Sequence, residues 1–342
     1  MTQPEMGGVH RRPPQQIVLD QLNGMWLSYA LQAAARYNLA TLLGDESKTT
    51  AELARQTDTQ ENWVYRLLRF LAANGVFAEV APRTFVNTDL STCLRSDIPG
   101  SMYAMARMMG SERSRKTWGQ LEASIKTGIP AVEQLYGVKL YDYFEHHAEE
   151  EAIFEGAMAG FSGIVNKAIA TSYDFSRVRR FVDVGGGNGS LLSVIHSQYP
   201  TIRGVLFDRP TVIARVRENG PDNLPFELSA GDFFEEVLSG ADMYVLKEVL
   251  HNWSDEQCRV ILQNCRRVMD SSAVLLVCEQ VVLPDNNQGA FAKGLDLLMG
   301  LEQQGGERTQ EEFRALFESA GFRLTKVIPT RSPQWIFEGV IV

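Results

Sequence analysis

The chain has 342 residues, enough for two domains that each bury a core, and its 44% hydrophobic and 22% charged content is ordinary for a globular protein. It contains no apolar run long enough to span a bilayer, and its formal net charge of −9 sets the overall field against nucleic acid. Four scattered cysteines, Cys93, Cys258, Cys265 and Cys278, are too few for a disulfide scaffold and form no CxxC pair for zinc or redox chemistry.

The start, MTQPEMGGVHRRPPQQ, is polar and Pro/Gly-rich without the apolar stretch of a signal peptide, so residues 1–17 read as a flexible tail of a cytoplasmic protein. From Leu19 to Arg95 the pattern is helical and then briefly strand-like. A Thr cap precedes Ala51-Glu52-Leu53-Ala54, a polar turn follows, and a second helix puts Val64, Leu67, Leu68 and Leu71 on one face before Gly75 ends it. Val76–Val80 and Thr84–Val86, joined through Pro82, complete a winged-helix outline. Such an outline suggests DNA binding, but the second helix offers only Arg66 and Arg69 in an acidic chain, which favours a scaffold or dimerisation role. Met25, Trp26, Leu27, Tyr29, Leu31, Leu39, Leu42 and Leu43 are more apolar surface than a small winged-helix unit hides alone, so residues 18–100 are expected to form a homodimer.

Residues 101–175 read as consecutive helices rich in Met and aromatics, among them Met105, Met108, Trp118, Tyr141, Phe154, Met158 and Phe161. Stripes of that kind are ordinarily core, although some of these side chains could roof a pocket for a flat apolar ligand. The run His146–Glu151 reads as a solvated helix face.

From residue 176 to 342 strands alternate with helices, the pattern of a doubly wound α/β sheet. The expected strands are Phe181–Val184, Gly204–Phe207, Phe226–Ser229, Met243–Leu246 and Val274–Glu279. Helices fall at Ser190–Tyr199, Thr211–Glu218 and Asp255–Met269, and an antiparallel hairpin, Arg323–Ile328 with Trp335–Val340, closes the chain.

A buried strand, a glycine turn and a helix in Phe181-Val182-Asp183-Val184-Gly185-Gly186-Gly187-Asn188-Gly189-Ser190 form a nucleotide-binding βα unit. Counting from Gly185, the third and fifth positions are Gly187 and Gly189, while the sixth, where a dinucleotide fold wants Gly or Ala, is Ser190. That spacing favours S-adenosylmethionine, which brings no pyrophosphate to the helix N-terminus. Asp208 closes the next strand 19 positions after Gly189, where a carboxylate can accept both ribose hydroxyls. Asp232 and Phe233 follow the third strand, placed to meet an adenine amino group and ring. Either acid alone is an ordinary solvated loop residue; together, at successive strand ends, they mark a cofactor edge.

His251 follows the fourth strand at the same edge, and a lone histidine is more often structural than catalytic. Its position beside the cofactor, with Glu279 and Glu307 in later segments able to lie near it, fits a general base. A phenol, with a pKa of about 10, needs such a base at neutral pH, and a carboxylate on the far ring nitrogen would fix the tautomer.

DVGGGNGS, FDRP, GDFF, LKEVLHNWSDEQC, CEQVVLP and GGERTQEEF, in this order, resemble the motifs of small-molecule O-methyltransferases of the caffeic-acid type, including bacterial relatives that methylate polyketides and phenazines. The likeness spans nearly the whole chain and implies a Rossmann-like methyltransferase sheet behind an N-terminal winged-helix dimerisation domain. It also implies His251 as general base flanked by Glu279 and Glu307, with Gly185, Gly187, Asp208, Asp232, Phe233 and Lys247 toward S-adenosylmethionine and no metal. Asn252 departs from the resemblance, since many relatives carry Asp there, and the helices of 101–175 match no single acceptor class. The competing expectations are a same-fold enzyme turned to non-methylating chemistry and a winged-helix regulator with a ligand-sensing second domain.

Overall fold

The computed structural model describes residues 12–221, 223–285 and 287–342, and it divides into two compact units, the first ending at Ser111 and the second running from Glu112 to Val342. Residues 1–11, most of the expected tail, lie outside the described residues, and the rest of that stretch turns helical at Pro14. The division cuts through the helical segment 101–175, leaving its first eleven residues in the first unit.

The first unit contains α1 (Pro14–Arg36), α2 (Leu39–Leu43), β1 (Lys48–Thr49), α3 (Thr50–Thr57), α4 (Glu61–Ala73), β2 (Phe77–Ala81), β3 (Thr84–Asn87), α5 (Asp89–Thr92) and α6 (Tyr103–Met109). Thr49 caps α3 in a reciprocal box with Glu52, which satisfies amide donors that the first helical turn leaves open. β3 lies between β1 and β2 in an antiparallel sheet, the wing of a winged helix. Leu39, Leu43, Leu53, Leu68, Leu71 and Phe85 make its core, so Leu39 and Leu43 are internal and not the surface apolar residues expected from sequence. Leu27, Leu31 and Leu42 pack half-buried on that core. Among the exposed apolar residues of α1, Val18, Leu22, Met25 and Tyr29 are spaced three or four apart on one face, with Trp26 beside Met25.

The second unit opens with α7 (Glu112–Gly119), α8 (Leu121–Thr127), α9 (Ala131–Tyr136), α10 (Leu140–Glu145) and α11 (Ala148–Ser172). Phe161 and Ile164 within α11 lie outside the side chains described. The sheet region follows as β4 (Arg180–Val184), α12 (Ser190–Gln198), β5 (Arg203–Asp208), α13 (Pro210–Asn219), β6 (Phe226–Ala230), β7 (Met243–Lys247), α14 (Asp255–Val268) and β8 (Val274–Gln280). It ends with α15 (Ala290–Glu302), α16 (Gln310–Ser319), β9 (Phe322–Pro329) and β10 (Gln334–Ile341).

Seven strands pair in the order β6-β5-β4-β7-β8-β10-β9, the first five parallel and β10 antiparallel to both neighbours. Strand residues alternate between two apolar layers: Val182, Val205, Tyr244 and Leu275 pack toward α14 and α16, whereas Phe181, Leu206, Val245 and Leu276 pack toward α11, α12 and α13. The chain runs outward from β4 to β6 and then crosses to β7 on the other side of β4. The carboxyl ends of β4 and β7 therefore flank the reversal point where such sheets bind ligands. Among the described residues no helix is long and apolar enough to cross a membrane.

Candidate active site

After Val184 the chain leaves β4 through Gly185, Gly187 and Gly189, all with positive φ (70°, 60° and 72°), a region that a side chain strains to enter. The loop is held from the next strand, where Asp208 Oδ2 accepts the Gly187 amide at 2.8 Å and Phe207 O accepts the Gly185 amide at 2.8 Å. A Cβ on Gly187 would project into open space, whereas one on Gly185 would lie 3.0 Å from Val249 and 3.4 Å from Phe233. The ends of β4, β6 and β7 thus converge on one cradle, wide above Gly187 and closed by side chains beside Gly185.

Asp208 is buried, and burial holds its carboxyl above the ordinary value against the backbone donors of Gly187 and Arg209. Asp232 is exposed, and its Oδ1 accepts the Phe234 amide at 2.8 Å. Phe233 is half-buried with its ring edge-on to Trp253. Lys247 Nζ sits 2.5 Å from Glu248 Oε2 and 3.4 Å from Ser162 Oγ, so its charge is already engaged within the protein. These groups fit an adenosyl cofactor: a glycine cradle, a buried carboxylate for hydroxyls and a ring beside the loop.

Two acids with no assigned role from sequence belong to the same place. Asp183 is 1% exposed, neither of its carboxylate oxygens has a partner, and burial pushes it up to about 7 against the pull of Lys247. It lies directly under the loop, where a Cβ on Gly186 would come within 2.5 Å of its Cγ. An acid inside an apolar strand, Phe-Val-Asp-Val, was the signal available. Glu248 has φ 55°, uncommon for a residue with a side chain, and Gln334 Nε2 donates to its Oε1 at 2.7 Å.

His251 lies in a single 3-10 turn, Leu250–Asn252, directly after β7. Glu279 on β8 is fully buried, and its Oε1 accepts the amides of Val249 at 2.9 Å and Leu250 at 2.8 Å, pinning the start of that turn. Its Oε2 stands 3.9 Å from His251 Nδ1, while Glu307 Oε1 is hydrogen-bonded to Nδ1 at 2.8 Å. The two acids therefore divide the work: Glu307 engages the ring and Glu279 holds its backbone. With Nδ1 engaged, Nε2 is the nitrogen left for an acceptor.

Glu307 arrives on a segment clasped to the turn. The Gly306 amide donates to His251 O at 2.9 Å, Gln303 Nε2 donates to Asn252 Oδ1 at 2.6 Å, and a Cβ on Gly305 would fall 2.0 Å from His251 O. Asn252, the departure noted from sequence, also donates through Nδ2 to the Glu248 and Val249 carbonyls. Burial works against a charged imidazole, but Glu279, Glu307 and Glu248 outweigh it and hold His251 well above its ordinary value of 6.5. Burial likewise raises Glu279, against the pull of His251.

The donor atoms of His251, Glu279 and Glu307 lie within 4.8 Å of one another, compact enough for either a cation or a shared proton. The direct Nδ1–Oε1 bond and the amides on Glu279 suit the second. A surface cavity of about 450 Å³ reaches Trp253 and Phe234 but includes none of the site residues expected from sequence.

A family described as O-methyltransferase domain matches residues 118–323, and one described as O-methyltransferase dimerisation domain matches 19–97. The phenazine O-methyltransferase PhzM of Lysobacter antibioticus is 38% identical over 330 residues, covering 95% of this chain and 96% of that protein. The crystal structure of LaPhzM superposes with a TM-score of 0.91 at 37% identity, covering 97% of this chain and 100% of that one. CalO1, a methyltransferase of calicheamicin biosynthesis solved with SAH bound, superposes with a TM-score of 0.82 at 35% identity, covering 97% and 100%.

In the free protein the His251 ring is expected to titrate above 6.5, and Glu307→Gln should bring that midpoint down by removing the hydrogen-bonded carboxylate. Ring-labelled histidine NMR across pH, with His251→Ala assigning the signal, measures it. An unchanged midpoint in Glu307→Gln would show that the Nδ1 contact does not govern the ring.

Proposed function

This chain belongs to the S-adenosylmethionine-dependent O-methyltransferase family, and from that membership we propose that it methylates a phenolic hydroxyl of a small aromatic molecule with His251 as the base. The observation that carries this reading is the half-buried imidazole just after β7, bonded through Nδ1 to Glu307 and keeping Nε2 for the acceptor.

Asp208 would hold the ribose hydroxyls, with Gly185 and Gly187 leaving room for the cofactor's body and Phe233 beside its base. Asp232, exposed, would meet the adenine amino group, and Lys247 would contribute through its pair with Glu248. When bound, S-adenosylmethionine supplies a methyl carbon whose bond to sulfur breaks, with both electrons staying on sulfur, as the acceptor oxygen bonds to that carbon. His251 accepts the hydroxyl proton at Nε2, and Glu307 stabilises the resulting imidazolium through Nδ1. The same carboxylates that stabilise the imidazolium also oppose formation of the neutral base, so the rate should climb with pH through a midpoint above the ordinary histidine range and then flatten.

Trp253, two residues beyond the base, is stacked at 6.4 Å on Tyr141 of α10, an aromatic surface suited to a flat acceptor. We assign residues 176–342 to cofactor binding and catalysis, and enclosure of the acceptor to α7–α11. Residues 18–100 are assigned to a homodimer built on the exposed α1 stripe. All four cysteines are free, as a reducing compartment would keep them.

His251→Ala should lower turnover by about 10²–10⁴-fold with cofactor affinity nearly unchanged, and acceptors with electron-withdrawing groups should recover part of the loss because they ionise unaided. Full activity of the variant on an unactivated phenol would remove the base from the mechanism. Asp208→Ala should weaken S-adenosylmethionine by roughly 1.5–3 kcal/mol in calorimetric titration, the worth of a hydrogen bond to a charged group, and unaltered affinity would move the ribose contact elsewhere. Sedimentation at micromolar concentration should give twice the 38.2 kDa chain mass, with Trp26→Glu shifting the chain toward monomer. A monomeric wild type would reject the dimer.

A further inference from the structure

Arg308 is 7% exposed, and the acid it pairs with, Asp255, has a side chain 67% exposed. A buried cation is costly unless its donors are used, and here most of them go to neutral carbonyls. Nη1 donates to Leu250 O at 3.0 Å, Nη2 donates to Trp253 O at 2.9 Å, and Nε donates to Asp255 Oδ1 at 2.9 Å. Leu250 and Trp253 bracket His251 and Asn252, so one rigid fork spans the turn that carries the base. The backbone of Arg308 is itself fixed: its carbonyl accepts the Val282 amide at 3.0 Å, and it forms a parallel bridge with Val281, two residues past Glu279.

We propose that Arg308 is a positioning residue for His251, its guanidinium holding the Leu250 and Trp253 carbonyls so that the ring meets Glu307. The proposal rests on the reading of His251 as the base. Arg308 immediately follows Glu307 in the chain, so the same short segment delivers the ring's acid and grips both sides of the ring's turn. A lysine at this position keeps the charge but cannot reach two divergent carbonyls with a planar fork. Arg308→Ala also removes a positive charge close to the imidazole, which alone would raise its midpoint, and Arg308→Lys keeps that charge, so a fall in both variants reports the placement of the ring against Glu248, Glu279 and Glu307.

The test uses the full chain with Arg308→Ala and Arg308→Lys. Both should lower kcat on a phenol by about 10²-fold, the cost of misplacing a reacting group by about 1 Å. S-adenosylmethionine affinity by calorimetry should stay within about threefold of wild type, because the loss falls on the chemical step. The His251 NMR midpoint should drop toward its ordinary value in both. Guanidinium chloride at tens of millimolar should restore part of the Arg308→Ala turnover, entering beside exposed Asp255, while equal sodium chloride should not. Wild-type turnover in Arg308→Lys would show that charge alone suffices and overturn the proposal, as would an unmoved His251 midpoint. Failure of both variants to fold, or parallel loss of cofactor affinity, would make Arg308 a folding residue and overturn it equally. The NMR readout does not depend on turnover: if His251→Ala stays active the base reading falls, yet the titration still decides whether Arg308 holds the ring.

Discussion

Two buried carboxylates, Glu279 and Glu307, meet the half-buried His251 imidazole in a setting that solvates charge poorly, and the segments around them are arranged to offset that cost. Glu279 is offset by the amides of Val249 and Leu250, which lock the start of the 3-10 turn as a by-product. Glu307 is offset by the ring itself and reaches it only because Gly305 and Gly306 let its segment press against the His251 carbonyl. The remaining oxygens, Oε2 of both acids, have no hydrogen-bond partner among the described residues, which keeps the proton affinity of the imidazole high. An imidazole held this way keeps its proton above the ordinary histidine range and becomes neutral only at higher pH.

Much of this was legible in the chain, because strands of a parallel sheet are short apolar runs and the glycine loop announces where the first one ends. The five parallel strands fall within a residue or two of the sequence reading, as does the closing hairpin. His251 stood out through its place after an apolar run, and Glu279 and Glu307 through resemblance. Legibility stopped where a residue's meaning depends on a partner far along the chain. Nothing local to Gln334 says that it caps Glu248, and nothing local to Arg308 says that it grips Leu250 and Trp253. Asp183 was visible as an acid in an apolar strand, but its isolation under Gly186 needed the fold.

The first unit shows the same boundary in apolar residues. Leu39 and Leu43 look no different in sequence from Met25 and Trp26, yet the short helix α2 turns them inward while the long α1 keeps Trp26 outward. Periodicity identifies a helix with an apolar face; which part of that face the unit covers by itself depends on packing. The threonine cap of α3, by contrast, is wholly local: the sequence suggested one before Ala51, and Thr49 supplies it.

Gly305 sets a limit on how such an enzyme can be altered. With a Cβ there falling 2.0 Å from the His251 carbonyl, even alanine would push the turn away. Directed evolution toward new acceptors can therefore rework α7–α11, the segment assigned to the acceptor, but a library that randomises Gly305 would spend its diversity on clones whose His251 turn is displaced.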